Sequence, residues 1–195
     1  MGLTNFLPHT LIHTIKKMGI YVMVFCLGVL PGYSLDAQES WVGKRAPAII
    51  AADLDGDVFN LVQVLKSMKD EEKILIEFWT LECKICKNSQ MFIRENLKNR
   101  TIQPWLILLP DKTYSESKDP EKEIARNLRS RKISFRCLVD KFSSAGKEYG
   151  VVDDNMGSQV PQVFIINKQR EIVYHALGFS ESDQKSILAF LASEK

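Results

Sequence analysis

Apolar and polar residues alternate along this 195-residue chain in blocks whose lengths switch between strand size and helix size. Lys73-Ile-Leu-Ile-Glu-Phe-Trp79 is a short apolar run bounded by charge, the mark of a buried strand, and residues 102–109 form a second. Shorter extended stretches at 49–52 and 58–60 flank Asp55-Gly56, a tight-turn signal. Leu61, Val62, Val64 and Leu65 have helical spacing, and residues 84–98 read as a helix with Met91 and Leu97 pointing inward. Asp119-Pro120 starts another helix: Asp caps free N–H groups, and Pro at the first helical position loses no hydrogen bond. Residues 133–139 are extended, and 142–149 form a short helix ending at Gly150. Residues 162–167 and 171–176 flank a polar connection and read as a hairpin. A last helix over 182–193 carries Ile187, Leu188, Phe190 and Leu191 on one side. Strands alternating with helices, then a hairpin and a closing helix, describe an α/β domain with a mixed sheet. No repeat is visible and no linker divides residues 41–195.

The N-terminus breaks this pattern. Lys16-Lys17 precedes the apolar run of residues 18–30, Pro31-Gly32 interrupts it, and Leu35-Asp36-Ala37 ends in a small residue. A positive patch, an apolar core and a small-residue exit make a secretory signal peptide. Cleavage is expected after Ala37, which divides the chain into a signal at 1–37 and a domain at 38–195. The alternative is an uncleaved anchor, for which the run is shorter than the roughly 20 residues of a spanning helix. Bulky Phe25 before Cys26 argues against lipid attachment there. The expected location is periplasmic or otherwise extracytoplasmic, with membrane attachment only if the segment stays uncleaved.

The rest of the composition is that of a globular protein, 45% hydrophobic and 26% charged. A net charge of +2 with interspersed signs lacks the basic footprint of a nucleic-acid binder. Arg126, Arg129, Arg131 and Lys132 follow Glu121 and Glu123, and read as a solvated helix end.

Four cysteines stand at 26, 83, 86 and 137. Two of them are one helical turn apart, which is the arithmetic of one working pair plus a spare rather than of a stapled scaffold. The pair Cys83-Lys84-Ile85-Cys86 follows a buried strand and opens a helix. At a helix N-terminus, unpaired N–H groups and the macrodipole favour negative charge. A thiolate forms more easily there, and the thiolate is the nucleophile. A second thiol one turn in can attack a mixed disulfide and release the partner. A metal site would need two more ligands, for which Cys137 and His175 are the unusual candidates; no metal and no cofactor is expected. A purely structural disulfide would close too small a loop to constrain the unfolded chain much. Cys137, in an apolar stretch, reads as a buried and inert thiol, and His175 as a surface or satisfied histidine.

Glu77-Phe-Trp-Thr-Leu-Glu-Cys-Lys-Ile-Cys86 resembles the strand-and-active-site block of the thioredoxin superfamily. The lead-in at 42–47 with Asp53-Leu-Asp-Gly56 is similar to the start of the TlpA/ResA-type branch of exported thiol–disulfide oxidoreductases. Tyr149-Gly-Val151 and the stretch 159–166 resemble the segment carrying that fold's cis-proline. The resemblance runs from Val42 to the C-terminus. It implies a thioredoxin fold, with a central mixed sheet flanked by helices and a short N-terminal β extension. It implies that Cys83 is the nucleophile and Cys86 the resolving thiol, cycling through a redox disulfide. It implies that Pro161 is the cis-proline facing the pair, that Val160 before it pairs with the substrate strand, and that Trp79 packs beside the active site among the substrate contacts. Glu77 matches the buried carboxylate that moves a proton to and from the second cysteine, and desolvation should raise its pKa.

The departures bear on tuning. Glu82 replaces the familiar tryptophan before the first cysteine and opposes thiolate formation, whereas Lys84 and Lys87 favour it. Ile85 replaces the proline before the second cysteine. The turn at 167–170 lacks the usual glycine, and the loop at 152–159 is longer than expected and should border the active site. The leading expectation is an oxidoreductase that reduces disulfides of exported proteins, served by an unidentified redox partner. A peroxiredoxin-like thiol peroxidase is a second reading: Thr80 stands three residues before Cys83 as in that motif, but the motif's proline falls at Ile76. A non-catalytic binding module with this fold is the third.

Overall fold

Nine strands and six helices follow one another among the residues described by the computed structural model, 40–97, 101–155 and 157–193. The leader expected at 1–37 lies outside these residues. Seven strands form one mixed sheet in the order β2-β1-β5-β4-β3-β8-β9. At its centre β3 (Lys73–Trp79) runs parallel to β4 (Ile102–Leu108) and antiparallel to β8 (Gln162–Asn167). Because helices cover both of its faces, β3 is a continuous apolar run rather than an alternating one. Glu77 is the one acid in that run, set between Leu106 on β4 and Val163 on β8.

β5 (Arg136–Val139) continues the parallel part, and the hairpin of β1 (Ile50–Asp53) and β2 (Val58–Asn60) adds antiparallel strands at that edge. The hairpin is the expected β extension, and its turn places Gly56 at φ 91°. At the other edge β8 pairs with β9 (Ile172–Leu177). Their turn needs no glycine: Arg170 takes the left-handed conformation at φ 67°, while the Asn167 side chain accepts from the Glu171 N–H at 2.8 Å.

On one side of the sheet, α1 (Leu61–Ser67) and α5 (Ser144–Glu148) cover Ile74, Ile76 and Phe78. On the other, α2 (Lys84–Asn96), α4 (Pro120–Ser130) and α6 (Glu181–Ser193) cover Leu75, Trp79 and their neighbours. The start signal at Asp119-Pro120 works as its chemistry requires, with the Asp119 carboxylate accepting from the Lys122 N–H at 3.1 Å. α5 begins later than the expected 142, because buried Asp140 accepts from the N–H groups of Ser144 and Gly146. Gly146 lets α5 approach the end of β4: a Cβ there would lie 2.7 Å from the Leu109 side chain.

Two elements had no signal in the hydrophobic pattern. One is the short helix α3 (Lys112–Glu116), and the other is the small hairpin of β6 (Val152–Asp153) and β7 (Gly157–Ser158). Both are short and mostly polar, and each sets only one half-buried apolar side chain, Tyr114 or Val152, against the core, too few to show a period. No helix among the described residues is long and apolar enough to cross a membrane.

Candidate functional site

The carboxyl end of β3 runs through Thr80-Leu-Glu82 directly into α2, and Cys83 is the N-cap of that helix. Its Sγ accepts a hydrogen bond from the Cys86 N–H at 3.1 Å, one of the donors a helix start leaves unpaired. The first turn of α2 contains no acid, and Lys84 and Lys87 are exposed on it. Cys83 and Cys86 are joined in a disulfide. The two sulfurs are not equivalent in access: Cys83 is partly exposed, whereas Cys86 is fully buried.

A shallow groove runs past Cys83, lined by Thr80, Glu82, Lys84, Ile85, Ser158 and Val160. Ile85 projects an apolar side chain at its rim, 53% exposed. Val160 and Pro161 are joined by a cis peptide bond, and Pro161 is buried. The long loop does border the site, because β7 delivers Ser158 to the groove beside Val160.

Glu82 does not point freely at Cys83. Its carboxylate accepts from the Thr113 hydroxyl at 2.8 Å and from the Thr113 N–H at 3.2 Å. In return the Glu82 N–H donates to Asp111 at 2.8 Å. Asp111 also caps α3 through the Tyr114 N–H. The strand-to-helix loop before the nucleophile is thus clamped to α3, an arrangement that required knowing where residues 111–113 fold.

Behind the pair lies a buried polar layer. Glu77 is fully buried, and its Oε1 accepts from the Ser89 hydroxyl at 2.6 Å. Desolvation pushes its pKa up to about 8, opposed by the Ser89 hydrogen bond and then by the charge of Arg131. Arg131 is a correction to the sequence reading. It does not belong to a solvated helix end: it folds inward after α4, 8% exposed, over the Trp79 ring at 5.5 Å. It donates to buried Gln90 at 2.6 Å, while its carbonyl accepts from Arg94. The chain turns left-handed at Lys132, so the helix ends in time to send Arg131 back to the sheet. A basic run shows no periodicity that would single out one member as buried.

Trp79 is also fully buried, so it lies beneath the pair and not on the surface a substrate would touch. Cys137 is a buried free thiol, pushed up to about 12 by desolvation. His175 is half-buried, stacked on Phe164 at 4.5 Å and bonded to Gln162 at 3.0 Å, and burial lowers its pKa. Thr80 borders the groove, but Ile76, where a peroxiredoxin carries proline, is a fully buried residue in the middle of β3.

Known proteins resemble this arrangement over most of its length. The thiol-disulfide oxidoreductase ResA of Bacillus thuringiensis subsp. konkukian is 22% identical over 172 residues, covering 85% of this chain and 88% of the relative. A thiol:disulfide interchange protein from Bacteroides sp. superposes with a TM-score of 0.58 at 15% identity, covering 77% of this chain and 90% of that one. Peroxidoxin BcpB from Mycobacterium tuberculosis does so with a TM-score of 0.60 at 18% identity, covering 79% and 97%. At these identities the structural likeness establishes the thioredoxin fold. Residues 42–175 match the AhpC/TSA family, through the central strand, the cysteine pair and the cis-proline, and the chain belongs to that family.

Proposed function

We propose that the chain is a thiol–disulfide oxidoreductase that reduces disulfides of exported proteins through Cys83 and Cys86. The observation that carries this is the unequal pair: an accessible sulfur at a helix N-cap and a buried one a turn behind. In the reduced enzyme the Cys83 thiolate attacks a client disulfide, and one client sulfur leaves with the electron pair of the broken S–S bond. The other client sulfur stays bonded to Cys83. The Cys86 thiolate then attacks Cys83 Sγ, the client leaves as a dithiol, and the enzyme is left with the Cys83–Cys86 disulfide. An upstream dithiol must return the two electrons.

Glu77 suits the second step. As a buried carboxyl pushed up to about 8, it is mostly protonated at neutral pH, and its ionised fraction can take the Cys86 proton and hold it. Val160 lines the groove beside Cys83, which supports the reading that its backbone meets an extended client. The exported setting rests on the leader at 1–37; N-terminal sequencing of the secreted product should begin at Gln38.

The deciding experiment is the reduction potential of the Cys83/Cys86 couple in dithiothreitol and glutathione buffers. A value near thioredoxin's, about −270 mV, supports a reductant; one near DsbA's, about −120 mV, overturns that direction of flow. Cys86→Ala should stall Cys83 in a mixed disulfide with its client. Absence of any Cys83-dependent adduct would contradict the order of attack. Glu77→Leu should remove the pH dependence of client release, and an unchanged profile would sink the proton-carrying role.

A further inference from the structure

Ser89 is a fully buried hydroxyl on α2, three residues after Cys86. Its Oγ lies 2.6 Å from Glu77 Oε1 and 3.0 Å from the Cys86 carbonyl oxygen. Both neighbours are acceptors when Glu77 is ionised, and a serine hydroxyl has one proton to give. The two bonds therefore compete. With Glu77 ionised, the charge-assisted bond to the carboxylate is the stronger. With Glu77 protonated on Oε1, the carboxyl becomes the donor to Ser89 Oγ, and the Ser89 proton is released towards the Cys86 carbonyl.

We propose that Ser89 is a positioning residue that couples the charge of Glu77 to the first turn of α2 at Cys86, by reversing its hydrogen bond when Glu77 gains or loses a proton. The inference rests on the proton-carrying role of Glu77 proposed above. No covalent step passes through Ser89. One proton stays on the hydroxyl throughout, and the other arrives at Glu77 or leaves it. The reversal makes the backbone of the resolving cysteine a better hydrogen-bond partner when the carboxyl is neutral.

The surroundings leave few other groups to set this balance. From α2, Cys86, Ser89 and Gln90 are buried in this layer. From the end of α4 comes Arg131, which bonds Gln90 and favours the charged form of Glu77. The flanking strand positions, Leu106 and Val163, are apolar. Ser89 is thus the one side chain among the described residues that directly hydrogen-bonds the Glu77 carboxylate.

The test is a titration of the Glu77 carboxyl by 13C NMR in the oxidised protein, with client reduction followed against pH in the reduced one. Ser89→Ala removes a bond to the charged form, so the Glu77 midpoint should rise by about one pH unit, the scale of a charged hydrogen bond. The pH profile of client release should move with it. Ser89→Thr keeps the hydroxyl and should restore both. Should Ser89→Ala fail to fold, Ser89→Cys, a weaker donor of similar size, should give an intermediate rise. An unmoved midpoint in a folded variant lacking the hydroxyl, or a Thr variant that behaves like Ala, overturns the proposal. Glu77→Leu separates the two ideas. If it removes the pH dependence while Ser89→Ala changes nothing, the coupling fails and the role of Glu77 stands. If it changes nothing, that role fails first.

Discussion

On one face of β3, Ile74, Ile76 and Phe78 meet a wall of aromatic rings; on the other, Leu75 packs among aliphatic side chains while Glu77 meets a serine and Trp79 an inward-turned arginine that bonds a glutamine. The first face is nearly all apolar, with Gln162 Nε2 as its single buried polar atom lacking a hydrogen-bond partner among the described residues. Tyr149 packs 5.2 Å from Phe78 and 5.0 Å from Phe164, and its one polar atom donates to the Pro47 carbonyl at 3.0 Å. The second face is left chemically open. Glu77 Oε2, Trp79 Nε1 and Gln90 Nε2 are buried without a hydrogen-bond partner among the described residues. Unpaired buried polar atoms cost stability, and a fold carries them where their chemistry is used. One strand thus separates a face that stabilises from a face that reacts, and period-two alternation is what keeps them apart.

The comparison breaks most visibly on the aromatic face. Phe164→Ala should cost about 3–5 kcal/mol, because a large ring leaves a cavity between rigid neighbours. Denaturant titration measures it. The folded fraction should keep an unchanged pH profile of disulfide exchange; a shifted profile would mean the two faces are not separable.

On the reactive face the sign reverses with pH. The folded carboxyl of Glu77 is raised to about 8, above its unfolded value. Its contribution to stability is therefore fully present below the unfolded pKa and is lost as pH rises through about 8. Glu77→Gln should flatten the stability profile between the unfolded carboxyl value and pH 8, and should be the more stable protein at the alkaline end. Chemical denaturation across that range tests this. A natural protein whose stability rises over the same range contradicts the assignment.

Arg131→Met should act more weakly on the same group. It removes a charge that opposes the upward shift, so the Glu77 midpoint rises, by less than in Ser89→Ala. It also leaves the Gln90 side-chain oxygen without its donor, at about 1–3 kcal/mol. A fall in the midpoint would show that Arg131 and Glu77 do not sense one another. The smallest effect is expected at the clamp. Glu82→Gln keeps an acceptor for Thr113 but removes an exposed charge near Cys83, so alkylation of the reduced protein should speed up by about twofold. Slower alkylation would mean that the clamp's geometry outweighs its charge.

Much of this was legible beforehand, because the responsible signals are local. Strand β3 shows as an apolar run, α4 as a capped start, and the cysteine pair as two thiols one turn apart at a strand-to-helix junction. Pro161 and Glu77 were reached through a resemblance whose motif is short and contiguous around each. For Trp79 the sequence left framework beside the pair and plain core packing equally open, and its full burial favours the second, because a residue beside the pair in sequence can still lie beneath it. Arg131 and Ser89 were missed for a different reason. An arginine in a basic run and a serine in a helix look solvated until packing removes the water.

By itself, then, the sequence determined the alternation of strands and helices, the site of the redox pair and the single acid in the central strand. Each of these depends on neighbours a few residues away. Tertiary structure alone decided that Glu82 is held by Thr113, and that Ser89, Gln90 and Arg131 converge behind Cys86. Those contacts span 12, 31 and 41 positions of chain. Burial and hydrogen-bond partnership across such distances are properties of the packed sheet, and no local pattern encodes them.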